Sequence, residues 1–408
     1  MNNDINDFGY TAVRMKSGIS SHTIEELFSK AIVTSHKELV PGNLKNLVEK
    51  AQYMDISAKA LGNMVVSLAN VDKCKLAMDE YIQKAEAEGI KAISVSNKEY
   101  PYHWRHLSGM PKVLFAKGNT DLLMDAFMSG TAAVVGSRSP SKYSLYATDD
   151  FTKQLVKHGV IIVSGLALGI DGQAHRCALN NGGKTIAVTP GGPDILYPYQ
   201  HDKLYYQIYE KGLVISEMPP GQGIIKKYFP ARNRLVSALS DVCLIMEAGR
   251  FSGTLHTASY AGNQGKDVFV LPNSVYFENS VGGLMLIRDG AEILIDAETV
   301  LERIRDNVIQ RVSEDGEKYP ELINRKSQIT VSEEDLFKKM NSTPELMTSD
   351  EWKTVIKSFI EEKPRLFDEL AKLIPLQISQ LMAYLSQLEF DQEVETDRDR
   401  FVLTIQKT

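Results

Sequence analysis

Apolar residues recur at three- and four-residue spacing through the first part of the chain, a pattern typical of helices packed on one face. Pro41 and Gly42 interrupt this pattern once. The spacing predicts helices over residues 22–32, 43–53, 57–69 and 73–88. Residues 1–90 are therefore predicted to form an N-terminal helical domain, and no motif suggestive of chemistry occurs within it.

From residue 91 the pattern changes to short unbroken apolar runs separated by amphipathic stretches. The runs predict strands over residues 92–96, 111–118, 131–135, 160–164, 185–189, 213–216, 242–247, 268–271 and 292–295. The amphipathic stretches predict helices, among them 144–158, 172–180 and 254–264. Such alternation is typical of a mostly parallel sheet covered by helices on both faces, so residues 91–305 are predicted to form a doubly wound α/β domain.

The last part of the chain divides into two segments that differ in their pattern of apolar and polar residues. Residues 306–349 are charged and polar with no sustained period, which predicts a linker. Residues 350–408 carry predicted helices at 351–361, 366–373 and 378–388 and a predicted strand at 401–405. Three short helices followed by a hairpin predict a winged-helix-like domain.

The composition is that of an ordinary globular protein, with 43% hydrophobic and 24% charged residues among 408. The net charge of −6 excludes a polycation that coats nucleic acid, but it leaves room for a local basic groove. The cysteines, Cys74, Cys177 and Cys243, are far apart and fit a reducing compartment better than a zinc site. No apolar run is long enough for a membrane span and the first residues do not resemble a signal peptide, so we expect a cytoplasmic protein without a membrane partner.

Small and polar residues follow five of the predicted strands, in the segments 136–141, 164–172, 190–193, 217–221 and 247–254. Because the carboxyl ends of parallel strands meet at one edge of a sheet, these segments are expected to lie close together. Glycines such as Gly136 and Gly165 let a ligand approach the backbone, and the following helix N-termini present free N–H groups to anions. Hydroxyl groups, as on Ser137 and Ser252, and the charge of Arg138 complete a predicted phosphate or nucleotide cradle.

The densest group of candidate binding residues lies at 226–234, the segment KKYFPARNR. Lysine and arginine neutralise phosphates, and an aromatic face stacks on an unpaired base. The interleaving of cations with aromatics favours nucleic-acid binding over a solvated basic turn. Arg232 and Arg234 point in different directions, so one is expected to face the ligand and the other to pair with an acid such as Glu217 or Glu247.

The sequence provides little support for catalysis, cofactor binding or a metal site. Neither GxxxxGK[ST] nor a GxGxxG after the first parallel strand occurs, and Ser252 with His256 lacks the GxSxG context of a nucleophile. His175 is expected to pack or cap rather than react. A nucleoside-monophosphate-cleaving enzyme of a related group is disfavoured because only the first half of its PGGxGTxxE motif is present, at 190–192.

Five strings stand out within residues 91–300: VGSR at 135–138, SGLALGIDGQAH at 164–175, GGKTIAV at 182–188, FPARNR at 229–234 and SGTLHTA at 252–258. With these strings the segment resembles the DprA (Smf) family of bacterial DNA-processing proteins. The resemblance is moderate over 350–408 and almost absent from the first 90 residues.

The resemblance implies a Rossmann-like domain that binds single-stranded DNA, forms a homodimer and helps to load a RecA-type recombinase, without being an enzyme. It implies that Arg138, Lys184 and Lys226 hold phosphates and that Phe229 stacks on a base. Residues 232–234 are expected to shape the pocket floor. The full set of expected DNA-binding residues is Gly136, Ser137, Arg138, Ser164, Gly165, Lys184, Lys226, Phe229, Arg232, Asn233, Arg234 and Ser252.

The chain departs from the family pattern near the expected ligand edge. Asn273 stands where the family usually has glycine, and Gly282-Gly283-Leu284 replaces a usual Gly-Cys-Asn or Gly-Thr-Asn. These departures keep a second hypothesis open, a DprA-like regulatory or antitoxin subunit of a phage-defence or toxin–antitoxin module, with a toxin partner and with DNA as signal or co-ligand.

The charge of the C-terminal segment argues against duplex reading. Residues 350–408 contain eight Lys and Arg against twelve Asp and Glu, a net charge of −4, and the predicted helix 378–388 carries no cation. A winged helix that reads duplex DNA needs positive charge against the phosphates. We therefore expect a protein-contact or structural role for this segment.

Overall fold

The computed structural model describes residues 71–315, 318, 340–341, 344, 347, 349–391, 393–397 and 400–403. The predicted helices at 22–32, 43–53 and 57–69 lie outside these residues, as does most of the predicted N-terminal domain. The chain divides into two compact units, Met1–Ile323 and Asn324–Thr408. No helix in the described ranges is long and apolar enough to cross a membrane.

The larger unit alternates strands and helices from residue 90 to residue 315. Its strands are β1 (Ile90–Ser94), β2 (Val113–Gly118), β3 (Thr131–Gly136), β4 (Ile161–Ser164), β5 (Thr185–Val188), β6 (Leu213–Ser216), β7 (Val242–Glu247), β8 (Asp267–Val270) and β9 (Glu292–Ile293). Its helices are α1 (Val71–Ala87), α2 (Tyr102–Arg105), α3 (Asp121–Ser129), α4 (Lys142–Lys157), α5 (Ile170–Asn180), α6 (Asp202–Lys211), α7 (Tyr228–Ala238), α8 (Thr254–Asn263), α9 (Val281–Arg288) and α10 (Ala297–Asp315).

The strands form one nine-stranded sheet in the order β1-β2-β6-β5-β4-β3-β7-β8-β9. The seven strands from β6 to β9 in this order are parallel, and β2 and β1 are added antiparallel at one edge. The predicted mostly parallel α/β fold is thus confirmed. The chain proceeds outwards from β3 to β6 and then returns to the other side of β3, so the strand order reverses between β3 and β7. Open sheets of this kind bind ligands at the carboxyl ends of the strands beside such a reversal.

Each face of the sheet has its own hydrophobic core, which explains the unbroken apolar runs. Along β3, Ala132 and Val134 pack into one cluster with residues of α4, α5 and α10. Ala133 and Val135 pack into the other cluster with residues of α7 and α8. Since successive side chains of a strand point to opposite faces, a strand buried on both faces must be apolar at every position.

Helix α10 continues through residue 315, so the prediction that residues 306–315 belong to a linker is wrong. Val300 and Ile304 are buried against the sheet, and the helix continues beyond them to the buried Arg311. Arg311 donates to Asp241 over 2.5 Å and to the carbonyl of Phe127 over 2.8 Å. The polar composition of this segment predicted exposure. One of its charges, on Arg311, is instead buried and paired, so composition did not reveal the helix.

The smaller unit contains α11 (Ser349–Glu362), α12 (Phe367–Leu373) and α13 (Ile378–Phe390), with the strands β10 (Arg365–Leu366), β11 (Val394–Asp397) and β12 (Arg400–Leu403). The strands form an antiparallel sheet in the order β10-β12-β11. Trp352, Ile356, Leu370 and Leu381 lie in a core of its own. The three predicted helices agree with the structure, while the winged-helix designation stays a prediction.

Candidate nucleic-acid interface

A cleft of about 500 Å³ opens at the carboxyl edge of the sheet, where the strand order reverses. The loops after β3, β4 and β7 line it, together with the first turns of α7 and the segment 278–281. Eight of the expected DNA-binding residues lie in the lining: Gly136, Ser137, Arg138, Gly165, Phe229, Arg232, Asn233 and Ser252. Three of the five predicted segments therefore meet in this lining. The other two, 190–193 and 217–221, contact each other, since a Cβ at Gly192 would lie 2.5 Å from the carbonyl oxygen of Pro219.

Arg138 and Phe229 form one side of the cleft. Arg138 follows β3 and is exposed, and its Cζ lies 5.2 Å from the centroid of the Phe229 ring. Phe229 is half-buried in the first turn of α7. The next residue, Pro230, has no N–H, and it is tolerated there because N–H groups in the first turn of a helix have no partner within the helix. The edge of Tyr197 also contacts the Phe229 ring, with centroids 5.9 Å apart. A cation thus lies over an aromatic ring in the lining of the cleft.

Arg232 forms part of the floor of the cleft. Only 4% of the residue is exposed, and its Nη1 donates to the carbonyl of Val188 over 2.8 Å. Burial lowers the pKa of Arg232 to about 10, with Asp171 opposing the shift and Arg138 adding to it. Arg232 therefore stays protonated at neutral pH and contributes a buried positive charge beneath the ligand edge.

Asp171 lies beside this arginine at the start of α5. Its Oδ2 accepts hydrogen bonds from the backbone N–H groups of Gly165 at 3.1 Å and Ala167 at 3.4 Å. Burial raises the pKa of the Asp171 carboxyl, and the charge of Arg232 partly opposes the rise. A Cβ at position 165 would lie 1.7 Å from Nη1 of Arg232. Gly165 is thus required to make room for the guanidinium, rather than for the ligand as the sequence suggested.

The loop after β7 forms another part of the lining with residues 249–254. Asn233 reaches it from α7, donating from Nδ2 to the carbonyl of Gly253 over 3.3 Å. Ser252 Oγ accepts from the backbone N–H of Thr254 at 3.2 Å, at the start of α8. Arg250 and Phe251 also line the cleft here, although neither was among the expected DNA-binding residues. Their position could have been predicted, because a cation next to an aromatic residue in a loop after a strand favours nucleic-acid binding.

The geometry provides no arrangement for nucleophilic catalysis at Ser252. Within the described part of the chain, no hydrogen bond joins Ser252 to His256, and no group of three or more His, Cys, Asp or Glu residues could hold a metal ion. His175 is fully buried and its Nδ1 lies 2.6 Å from Thr185 Oγ1. Burial, and to a smaller extent the charge of His201, lowers the pKa of His175 to about 3. His175 is therefore a packed neutral side chain, as the sequence indicated.

A family model described as DNA recombination-mediator protein A matches residues 91–305. The chain belongs to this DprA/Smf family. DNA processing protein DprA of Bacillus subtilis is 35% identical over 223 residues, covering 55% of this chain and 74% of that protein. DprA of Streptococcus pneumoniae is 37% identical over 243 residues, covering 57% and 84% respectively. An X-ray structure of DprA from Streptococcus pneumoniae matches with a TM-score of 0.58 and 30% identity, covering 74% of this chain and 98% of that chain.

One residue that the DprA resemblance assigned to the pocket lies elsewhere. Lys184 precedes β5, at the amino edge of the parallel sheet, whereas Arg138 follows β3 at the carboxyl edge. Its Nζ pairs with Asp125 Oδ2 of α3 at 3.0 Å. The prediction that Lys184 shares a pocket with Arg138 in one chain is wrong, because the two residues lie at opposite edges of the parallel sheet, on strands that are separated by β4.

The remaining DprA-derived residues support the cleft or lie outside its lining. Ser164 is fully buried and its hydroxyl donates to the carbonyl of Val134 over 2.6 Å. Arg234 Nη2 pairs with Glu217 Oε2 at 2.6 Å, which confirms that one of the two arginines is held by an acid. Lys226 is exposed in the turn before α7 and outside the cleft lining, and its phosphate contact stays a prediction.

Proposed function

We propose that this protein binds single-stranded DNA in the cleft and acts as a recombination mediator that loads a RecA-type recombinase onto the strand, in transformation or recombination. The observation that carries the proposal is the exposed guanidinium of Arg138 beside the half-buried ring of Phe229, at the reversal point of the sheet. The two side chains contact each other, and together they offer a positive charge to a phosphate and an aromatic face to a base.

The cleft favours a single strand over a duplex for a physical reason. An aromatic side chain stacks only on a base whose face is free, and the bases of a duplex are already stacked on their neighbours. Arg138 and Arg250 lie in the same lining, so a backbone that enters the cleft meets positive charge although the whole chain has a net charge of −6. Membership of the DprA family supports the same assignment.

The proposal has three further parts, which rest on the family. The protein acts by binding rather than by catalysis, without a cofactor or metal. It works as a homodimer that contacts the recombinase directly. It does so in the cytoplasm, where both the incoming strand and the recombinase are found.

The first test is a fluorescence-anisotropy titration with a labelled single-stranded oligonucleotide at several salt concentrations, with a duplex of the same sequence as control. We expect binding that favours the single strand and weakens steeply with salt. Recombinase loading is then measured as filament formation on a strand coated with single-strand-binding protein, with and without this protein. Absence of strand binding at low salt contradicts the proposal and directs the search to a protein partner encoded nearby.

A further inference from the structure

The cleft lining repeats one combination of side chains. On one side lie a guanidinium, a phenyl ring and a carboxamide, from Arg138, Phe229 and Asn233. Residues 249–254 and 278–279, named here the β7 wall, carry the same three groups in Arg250, Phe251 and Asn279.

The two phenyl rings differ in their surroundings. The ring of Phe229 is half-buried and contacts Tyr197 and Arg138. Phe251 is 95% exposed, although it lines a concave site. An exposed phenyl ring gains free energy when a flat apolar surface covers it, and a nucleobase provides such a surface. The ring of Phe251 is therefore available to a ligand that enters the cleft.

The β7 wall is held in place from two directions. A Cβ at Gly282 would lie 2.3 Å from the carbonyl oxygen of Gly249, so the first turn of α9 packs directly against the loop. The N–H of Gly283 donates to the carbonyl of Ala248 over 3.0 Å. From the other direction, the Asn233 carboxamide holds Gly253. The backbone that carries Phe251 is thus fixed before a ligand arrives, which reduces the entropy lost on binding.

The charges of the β7 wall indicate how a strand would run along it. Arg250 is exposed and, among the described residues, has no ion-pair partner. Glu278 is an exposed acid on the same wall and repels phosphate. A sugar–phosphate backbone would therefore pass on the Arg250 side, leaving Glu278 and Asn279 to the hydrogen-bonding edges of a base.

We propose that the β7 wall is a second nucleotide subsite, in which Phe251 stacks on a base next to the one held at Phe229 and Arg250 holds the phosphate of that nucleotide. The proposal rests on the proposed function, since it assigns a second contact to the same single strand. Its consequence is a footprint of at least two consecutive stacked bases within one cleft.

The test scans a single abasic position along the shortest oligothymidylate that binds with full affinity. The wild-type protein should show two sensitive positions, and an abasic site at either should weaken binding by about fivefold to 150-fold, the range expected for loss of one base–aromatic stack. The variant Phe251→Ala should bind the intact strand more weakly by a similar factor and should retain only one sensitive position. Phe251→Tyr keeps a stacking ring and should behave as wild type.

The matched control is Phe390→Ala, which removes another exposed phenyl ring from α13 of the smaller unit and should leave the scan unchanged. Circular dichroism checks the fold of each variant. If the wild type binds and Phe251→Ala reproduces its affinity and both sensitive positions, the second subsite is refuted while the proposed function stands. If the wild type binds no single strand, the proposed function itself fails.

Discussion

The guanidinium of Arg138 lies over the ring of Phe229, with Cζ 5.2 Å from the ring centroid. A base that stacks on the covered face must displace the guanidinium, whereas a base on the other face leaves it in place. In both cases the positive charge of Arg138 attracts a phosphate of the bound strand. The contributions of the two residues to binding should therefore be coupled, and their double variant should cost less than the sum of the single ones.

Replacing Arg138 by alanine should weaken single-strand binding and make it less sensitive to salt. Each phosphate contact on a single strand contributes about 0.7 to the slope of log affinity against log salt, so losing one should reduce the slope by about that amount. Anisotropy titrations at four salt concentrations measure this slope. Lys184→Ala is the matched control, since it removes a cation from the opposite edge of the sheet and should keep the wild-type slope. Equal slopes for wild type and Arg138→Ala would place Arg138 outside the phosphate path.

Replacing Phe229 by alanine should cost about 1–3 kcal/mol of binding free energy, the usual contribution of a base stacked on an aromatic ring. The ring is half-buried and lines the cleft, so the fold should survive. Titration gives the binding term, and thermal unfolding of the same sample gives the stability. Phe229→Tyr should retain most of the affinity. A variant that unfolds instead would make Phe229 a core residue.

Replacing Gly165 by alanine should destabilise the protein through Arg232. The new Cβ would lie 1.7 Å from Nη1, so the buried guanidinium must leave its position and lose the bond to Val188. A hydrogen bond to a charged group is worth about 1.5–3 kcal/mol, and we expect a loss in the free energy of unfolding of that order. Urea denaturation measures it. Gly223→Ala, at a glycine where an added Cβ meets nothing within 4 Å, is the control. Equal losses for the two variants would argue against the Arg232 contact.

The stability should fall as the pH drops below 6.5 because His103 is buried in its neutral form. Burial, followed by the charge of Arg311, lowers the pKa of His103 from 6.5 to about 4. Between these values the unfolded chain binds a proton that the folded protein does not bind, so the free energy of unfolding rises with pH. A single such group contributes up to about 1.4 kcal/mol per pH unit.

Denaturation midpoints of wild type and His103→Gln at several pH values between 4 and 7 test this account of His103. The variant should show a shallower dependence on pH over this window, whatever its stability at pH 7. His158→Gln is the control, since that histidine is exposed at the end of α4. Parallel curves for wild type and His103→Gln would show that His103 titrates alike in both states.

The smaller unit should not bind duplex DNA. Its segment 350–408 has a net charge of −4, and α13 carries no cation between residues 378 and 388. Phosphates are repelled by such a surface. A gel-shift assay of the fragment 324–408, which contains its own hydrophobic core, should give no shift at moderate salt, with the fragment 1–323 tested beside it. A salt-sensitive shift by the smaller unit would restore a duplex-reading role.

Strand direction separates two residues that the family resemblance places in one pocket. Lys184 comes before a predicted strand and Arg138 after one, so a parallel sheet puts them at opposite edges. The β7 wall was detectable in the same way, since Arg250 and Phe251 lie within the segment 247–254 that follows a predicted strand. Helix α10 was not detectable by charge pattern, because the buried Arg311 has the same sequence signature as an exposed arginine.

By itself the sequence determined the sheet, its mostly parallel direction and the edge at which the polar loops meet, because strand and helix periods follow from which faces are buried. Tertiary structure alone decided that Arg234 pairs with Glu217 while Arg232 lies against Gly165, and that Arg138 covers Phe229. These contacts join segments far apart in the chain. The periodicity of a segment does not determine how far it lies from a distant segment. That distance is set by the packing of the helices on the sheet.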